Sequence, residues 1–161
     1  VEALGVRSVL DAGCGTGRVA VELARRGIEV VGIDADPGML AAARAKAPHL
    51  EWILADLADL DLSDRGGGRR RFDAAVLAGN VMIFVAPGTE GAVLERLAAH
   101  LRPGGLVVAG FQLIAGRLSL ERYDDLAAGA GLTLAERYAT WDRDPWIRGG
   151  DYALCVHRKR A

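Results

Sequence analysis

Apolar and polar positions along this chain fall into blocks whose period switches in a regular order. Residues 7–10 are a short apolar run carrying β-branched Val9; directly afterwards Val19, Ala20, Leu23 and Ala24 recur at helical spacing, and Gly27 stands where a C-cap belongs. Gly27–Asp34, Leu50–Leu54, Phe72–Ala78 and Leu106–Phe111 are further apolar runs bounded by Gly, Pro or Asp, the pattern of strands buried on both faces. Helical stretches lie between them. One opens at Asp36-Pro37, an N-cap followed by a first-turn proline, turns Met39, Leu40 and Ala43 inward and stops at Pro48. Another covers 89–101 with Val93, Leu94, Leu97 and Ala98 on one face, and a third begins at Ser119 with Leu120, Tyr123, Leu126 and Ala127 inward. Residues 132–140 read as a sixth strand. In Tyr152–His157, Tyr152, Leu154 and Val156 alternate with Ala153, Cys155 and His157, a last strand returning as in a hairpin. The alternation predicts one α/β domain over residues 1–161: a seven-stranded, mostly parallel sheet with helices on both faces and an antiparallel last strand.

The chemistry concentrates where the first strand meets the first helix. Asp11-Ala-Gly-Cys-Gly-Thr-Gly places Gly13, Gly15 and Gly17 in a turn that brings bare backbone, and then helix N–H groups, against a ligand. A dinucleotide fingerprint spaces its glycines G-x-G-x-x-G; here the spacing is G-x-G-x-G, with the acid Asp11 just ahead. A carboxylate there repels a pyrophosphate and suits a ligand carrying a cation. Asp34 ends the second strand, where an acid is placed to hydrogen-bond ribose hydroxyls.

The stretch resembles the first motif of the class I S-adenosylmethionine-dependent methyltransferases, and Leu-Arg-Pro-Gly-Gly at 101–105 resembles a second hallmark of that family. The resemblance implies a Rossmann-like class I methyltransferase fold and S-adenosylmethionine as cofactor, released as S-adenosylhomocysteine. It implies binding by Asp11, Ala12, Gly13, Cys14, Gly15 and Gly17, with the ribose on Asp34 and the adenine beside Ala35 and Met39. Asp56 would accept the adenine amino proton and the Leu57 backbone N–H would reach the ring. The end of the fourth strand, Gly79-Asn80-Val81-Met82-Ile83-Phe84-Val85, would lie by the reactive methyl, with Gly79 permitting close approach. Asn80 then orients a substrate or holds the methionyl end, unless it caps the strand; Met82, Ile83 and Phe84 either wall the methyl channel or pack in the core. No Asn-Pro-Pro-Tyr, Asp-Pro-Pro-Tyr or Pro-Cys element is present, which sets aside the amino-methylating and cytosine-C5 chemistries.

Composition narrows the partners. A net charge of −1 over 161 residues argues against a general nucleic-acid or membrane surface. Apolar runs stay far below the roughly 18 residues of a membrane span, so a cytoplasmic protein is expected. Two cysteines, Cys14 and Cys155, lie far apart and inside predicted core elements, a pattern of neither a metal site nor a disulfide scaffold. Arg65–Arg71 reads as a mobile surface loop, with no aromatic to stack a base. None of His49, His100 and His157 falls at a strand end facing the cofactor, so no general base is assigned, and His100 reads as a surface residue. Trp141 and Trp146 either border a substrate opening or staple their loop. The expected function is methyl transfer to a small-molecule acceptor by in-line displacement. Two alternatives stand beside it: a non-catalytic S-adenosylmethionine-binding module, suggested by a chain that opens only a few residues before its first strand, and an RNA methyltransferase using the arginine loop. A nicotinamide-dependent oxidoreductase is disfavoured by the glycine spacing and Asp11. Oligomeric state leaves no mark in the sequence.

Overall fold

The computed structural model describes residues 5–160. Strand β1 (Ser8–Ala12) leads through the glycine turn into α1 (Arg18–Arg25), then β2 (Glu29–Asp34), α2 (Pro37–Lys46), β3 (Glu51–Leu54) and β4 (Phe72–Leu77). A one-turn helix α3 (Val81–Phe84) follows, then α4 (Glu90–Ala99), β5 (Leu101–Gln112), α5 (Leu120–Gly129), β6 (Leu132–Tyr138) and β7 (Tyr152–Lys159). The seven strands make one sheet in the order β3-β2-β1-β4-β5-β7-β6. β7 runs antiparallel to both of its neighbours and the other strand pairings are parallel, as expected from the sequence. The strand order reverses between β1 and β4, so the crevice above their carboxyl ends is where a ligand would sit.

Apolar residues pack on both faces. One core gathers Leu10, Val31, Ile33, Leu77, Val107 and Phe111 under α4 and α5; the other gathers Val9, Val30, Ala74 and Trp52 under α1 and α2. Asp73, at the start of β4, fastens the base of the sheet. Its Oδ2 accepts the backbone N–H groups of Arg7 and Ser8 at 2.8 and 2.9 Å, and Arg102 pairs with its Oδ1. β5 begins earlier than the sequence pattern predicts, at Leu101, because Arg102–Gly105 forms a bulge within the strand: Phe72 pairs with Leu101 but Ala74 already pairs with Leu106. A Cβ on Gly105 would lie 2.9 and 3.0 Å from the carbonyl oxygens of Arg102 and Asp73, so the second glycine of the Pro-Gly-Gly sequence permits close backbone packing.

Two expectations are corrected, on His100 and the arginine loop, and two open alternatives are resolved. His100 is buried, not on the surface: its Nε2 accepts the Leu62 N–H at 2.9 Å while Nδ1 lies 2.7 Å from the Arg96 carbonyl, which puts the ring proton on Nδ1. Desolvation lowers its pKa, in keeping with a neutral ring that clamps the β3–β4 connection. The arginine loop is a formed turn. Asp64 caps Gly66 and Gly68, Arg70 forks onto Glu51 and reaches Glu29, and Arg71 donates to the Leu101 carbonyl. Met82 and Ile83 point into the core, leaving Phe84 exposed. Trp141, bonded through Nε1 to the Tyr152 hydroxyl, packs over Gly110, so it fastens the β6–β7 loop to the sheet. Trp146 lies half-buried against the core with Arg137 over its ring.

Candidate functional site

The glycine turn is held by backbone alone at first: the N–H groups of Gly13 and Cys14 both donate to the Ile33 carbonyl at 2.8 Å. Gly13, Gly15 and Gly17 have φ of +75°, +53° and +80°, a region that a side chain disfavours. The three differ in what surrounds them. A Cβ on Gly17 would fall onto the Trp52 indole, and one on Gly13 would meet the Val81 methyls at 2.7 and 2.8 Å. A Cβ on Gly15 would meet nothing, because Gly15 opens on a cavity.

That cavity holds about 670 Å³, within the usual range for small-molecule sites. Gly13, Gly15, Asp34, Ala35, Met39, Asp56, Leu57 and Gly79 line it, so the structure brings together in one place residues drawn from the ends of β1, β2, β3 and β4. Asp34 is organised by two backbone donors, the Gly15 N–H to Oδ2 at 2.7 Å and the Asp36 N–H to Oδ1 at 2.9 Å. Asp36 caps α2 by accepting from the Gly38 and Met39 N–H groups, and Asp56 caps the short 3-10 turn Leu57–Asp59 through the Ala58 N–H. Met39 is exposed at the cavity instead of packing in the core.

The other predicted residues stand behind this lining. Ala12 is wholly buried, and Cys14 is buried with its thiol pushed up to about 12 by desolvation, an inert group at neutral pH. Gly17 faces Trp52. Asp11, expected to meet the ligand's cation, lies within β1, almost wholly buried, and its Oδ2 accepts the Ala20 N–H at 3.0 Å. Burial raises its pKa to about 7. Asn80 is turned away to Gln112, with Gly79 and Val81 on either side of it lining the cavity. Val81 and Val85, within the 79–85 stretch expected beside the methyl, line the cavity; Asp36 and Ala86 line it too, and nothing in the sequence beyond the Asp36-Pro37 cap marks them.

One electrostatic feature stands out. Asp34, Asp36 and Asp56 all line the cavity, and among the described residues no Lys, Arg or His does. Three carboxylates with no cation disfavour a pyrophosphate and favour a cationic nucleoside with hydroxyl and amino donors. A larger groove of about 820 Å³ runs outside α1 between Thr16, Arg25 and Lys46, but it opens on none of the strand ends.

A family model described as a methyltransferase domain matches residues 9–105, the stretch from β1 through the β5 bulge. The chain belongs to the methyltransferase-domain family. It is 36% identical over 105 residues to a ubiquinone biosynthesis O-methyltransferase of Nitrobacter winogradskyi, a match covering 63% of this chain and 37% of that protein. It is 35% identical over 115 residues to a demethylmenaquinone methyltransferase of Beutenbergia cavernae, covering 69% of this chain and 45% of that protein. The matched region thus spans less than half the length of these two curated relatives. A solved TehB-like SAM-dependent methyltransferase from Corynebacterium glutamicum superposes with a TM-score of 0.86 at 32% identity, over 96% of this chain and 80% of that one. This methyltransferase domain has the Rossmann-like fold of that structure, and the glycine turn, Asp34 and Asp56 all lie within the region that the family model matches.

Proposed function

We propose that this domain binds S-adenosylmethionine in the β1–β4 cavity and transfers its methyl group to a small-molecule acceptor. The observation that carries the reading is the cavity lined by Asp34, Asp36 and Asp56 with no basic side chain among the described residues, open directly above the Gly15 backbone. The residues present fit the cofactor: a Cβ at Gly15 or Gly79 would project into open space inside the cavity, so both glycines leave room for a ligand against the main chain. In this reading Asp34, already oriented by the Gly15 and Asp36 N–H groups, accepts from ribose hydroxyls. Asp56 accepts from the adenine amino group, Leu57 and Met39 enclose the ring, and Gly79 with Val81 and Phe84 bounds the methyl end. When bound, the sulfonium would supply an already electrophilic methyl carbon for in-line attack by the acceptor, with S-adenosylhomocysteine as the leaving group. The protein's part is alignment and exclusion of water, and no base is assigned to a histidine: His100 is engaged in the core and His157 is buried behind α5.

Small-molecule acceptance is supported by the relatives, one named for ubiquinone biosynthesis and one for demethylmenaquinone, and by the arginine loop, whose Arg69, Arg70 and Arg71 face Asp61, Glu51 with Glu29, and the Leu101 carbonyl. Those internal partners weaken the RNA reading. Calorimetry with S-adenosylhomocysteine tests the proposal, together with a screen of the full-length protein for S-adenosylhomocysteine release from a metabolite extract. Asp34→Ala is expected to weaken binding by about 1.5–3 kcal/mol, the worth of a charge-assisted hydrogen bond. Unchanged affinity removes Asp34 from the site, and tight binding of NAD in its place overturns the reading.

A further inference from the structure

We infer that the end of β5 and the connection that follows it position the methyl-side wall of the cavity from behind, through Gln112 and Arg117, and that Asn80 is the joint through which they act. This rests on the cofactor site proposed above. The wall is α3, a single helical turn, too short to hold its shape by its own hydrogen bonds. It carries Val81 and Phe84 to the cavity, with Val85 and Ala86 following, and Phe84 is 73% exposed there, with little packing to hold it.

Both ends of α3 are tied to the same segment. At its start Asn80 adopts φ +67° and ψ +20°, a left-handed conformation for a residue other than glycine, and its side chain makes no cap to the helix. The side chain instead reaches across to the end of β5: Oδ1 accepts the Gln112 N–H at 2.8 Å, and Nδ2 donates to Gln112 Oε1 at 3.3 Å. The Asn80 N–H adds a bond to the Gly110 carbonyl at 3.3 Å. At the far end Arg117 donates to the Ile83 carbonyl at 3.5 Å. Neither Gln112 nor Arg117 lines the cavity. The opposite side of α3 abuts the glycine turn, since a Cβ on Gly13 would strike Val81. A displacement of α3 therefore moves the methyl-end wall and presses on Gly13 at once. Both polar atoms of the Asn80 side chain are engaged with Gln112, so Asn80 and Gln112 are positioning residues, not ligand contacts.

Three variants separate this role from general stability. Asn80→Gly keeps the left-handed backbone and deletes the tie; Asn80→Asp keeps an acceptor for the Gln112 N–H; Arg117→Met deletes the second tie. Each is measured by S-adenosylhomocysteine calorimetry, amide hydrogen exchange over 81–86 in the free protein, and thermal unfolding. Asn80→Gly is expected to bind roughly tenfold more weakly, the worth of about one hydrogen bond, and to exchange faster at 81–86 with its melting temperature nearly unchanged. Asn80→Asp should recover most of both losses, and Arg117→Met should show a smaller loss of the same kind. Wild-type exchange rates at 81–86 in Asn80→Gly and Arg117→Met overturn the inference. So does an Asn80→Asp that restores exchange protection but not affinity, because that pattern marks a direct contact from Nδ2. A wild-type protein that does not bind the probe overturns the cofactor reading instead, and the exchange data in the free protein still decide the tie.

Discussion

On the β1–β2 side of the cavity, main chain is pinned by main chain. Gly13 and Cys14 share the Ile33 carbonyl, Asp34 grips Gly15 and Asp36, and Trp52, fixed through its Nε1 to the Ala47 carbonyl, fills the space that Gly17 and Gly32 leave open. On the β4–β5 side a lone helical turn hangs between Gln112 and Arg117, with Phe84 exposed to solvent. In the proposed reading the first wall, pinned largely by main-chain bonds, holds the cofactor. The second faces the acceptor, rooted in the core by Met82 and Ile83 and aligned by the Asn80 and Arg117 bonds.

The contrast can be broken most forcefully at Gly17. Gly17→Ala forces a methyl into Trp52 at a left-handed position, and a destabilisation of about 3 kcal/mol or more is expected, read as a large fall in the denaturation midpoint. Gly15→Val tests the same turn with the opposite outcome. Its side chain enters the cavity, so S-adenosylhomocysteine binding should vanish in calorimetry while the fold persists, losing only the roughly 1–2 kcal/mol of a left-handed residue. A Gly17→Ala protein of normal stability would show that the first wall is less rigid than its packing indicates.

Asp11 sharpens the comparison from beneath. Its folded pKa of about 7 lies above the ordinary carboxylate value of 3.8, so the native state holds a proton that the unfolded chain releases first. Its contribution to stability is fully present below the unfolded value and is lost as pH rises toward 7. Asp11→Asn, which keeps an acceptor for the Ala20 N–H, should therefore flatten the stability–pH curve between about pH 4 and 7. It should be more stable than the wild type at pH 8 by about 2–4 kcal/mol, measured by urea unfolding across pH. Equal pH curves for the two proteins would show that Asp11 is better solvated than its burial implies. The smallest effect is expected at Arg71, whose replacement by Met removes one bond to the Leu101 carbonyl and should change stability by about 1 kcal/mol or less and leave binding untouched.

Local and periodic features were legible in the sequence alone. The glycine spacing, the Asp36-Pro37 and Ser119 caps, the apolar runs and the final alternating strand each depend on residues within a few positions of one another, so they specified the α/β fold, the parallel sheet with its antiparallel last strand, and the end of β2 as the place for an acid. Tertiary structure decided everything that depends on distant residues meeting. It turned Asp11 inward under α1, set Trp52 against Gly17 and Gly32, buried His100 against Leu62 and joined Asn80 to Gln112. Those outcomes depend on which neighbour fills each space once the strands are in register, and neither periodicity nor spacing along the chain carries that information.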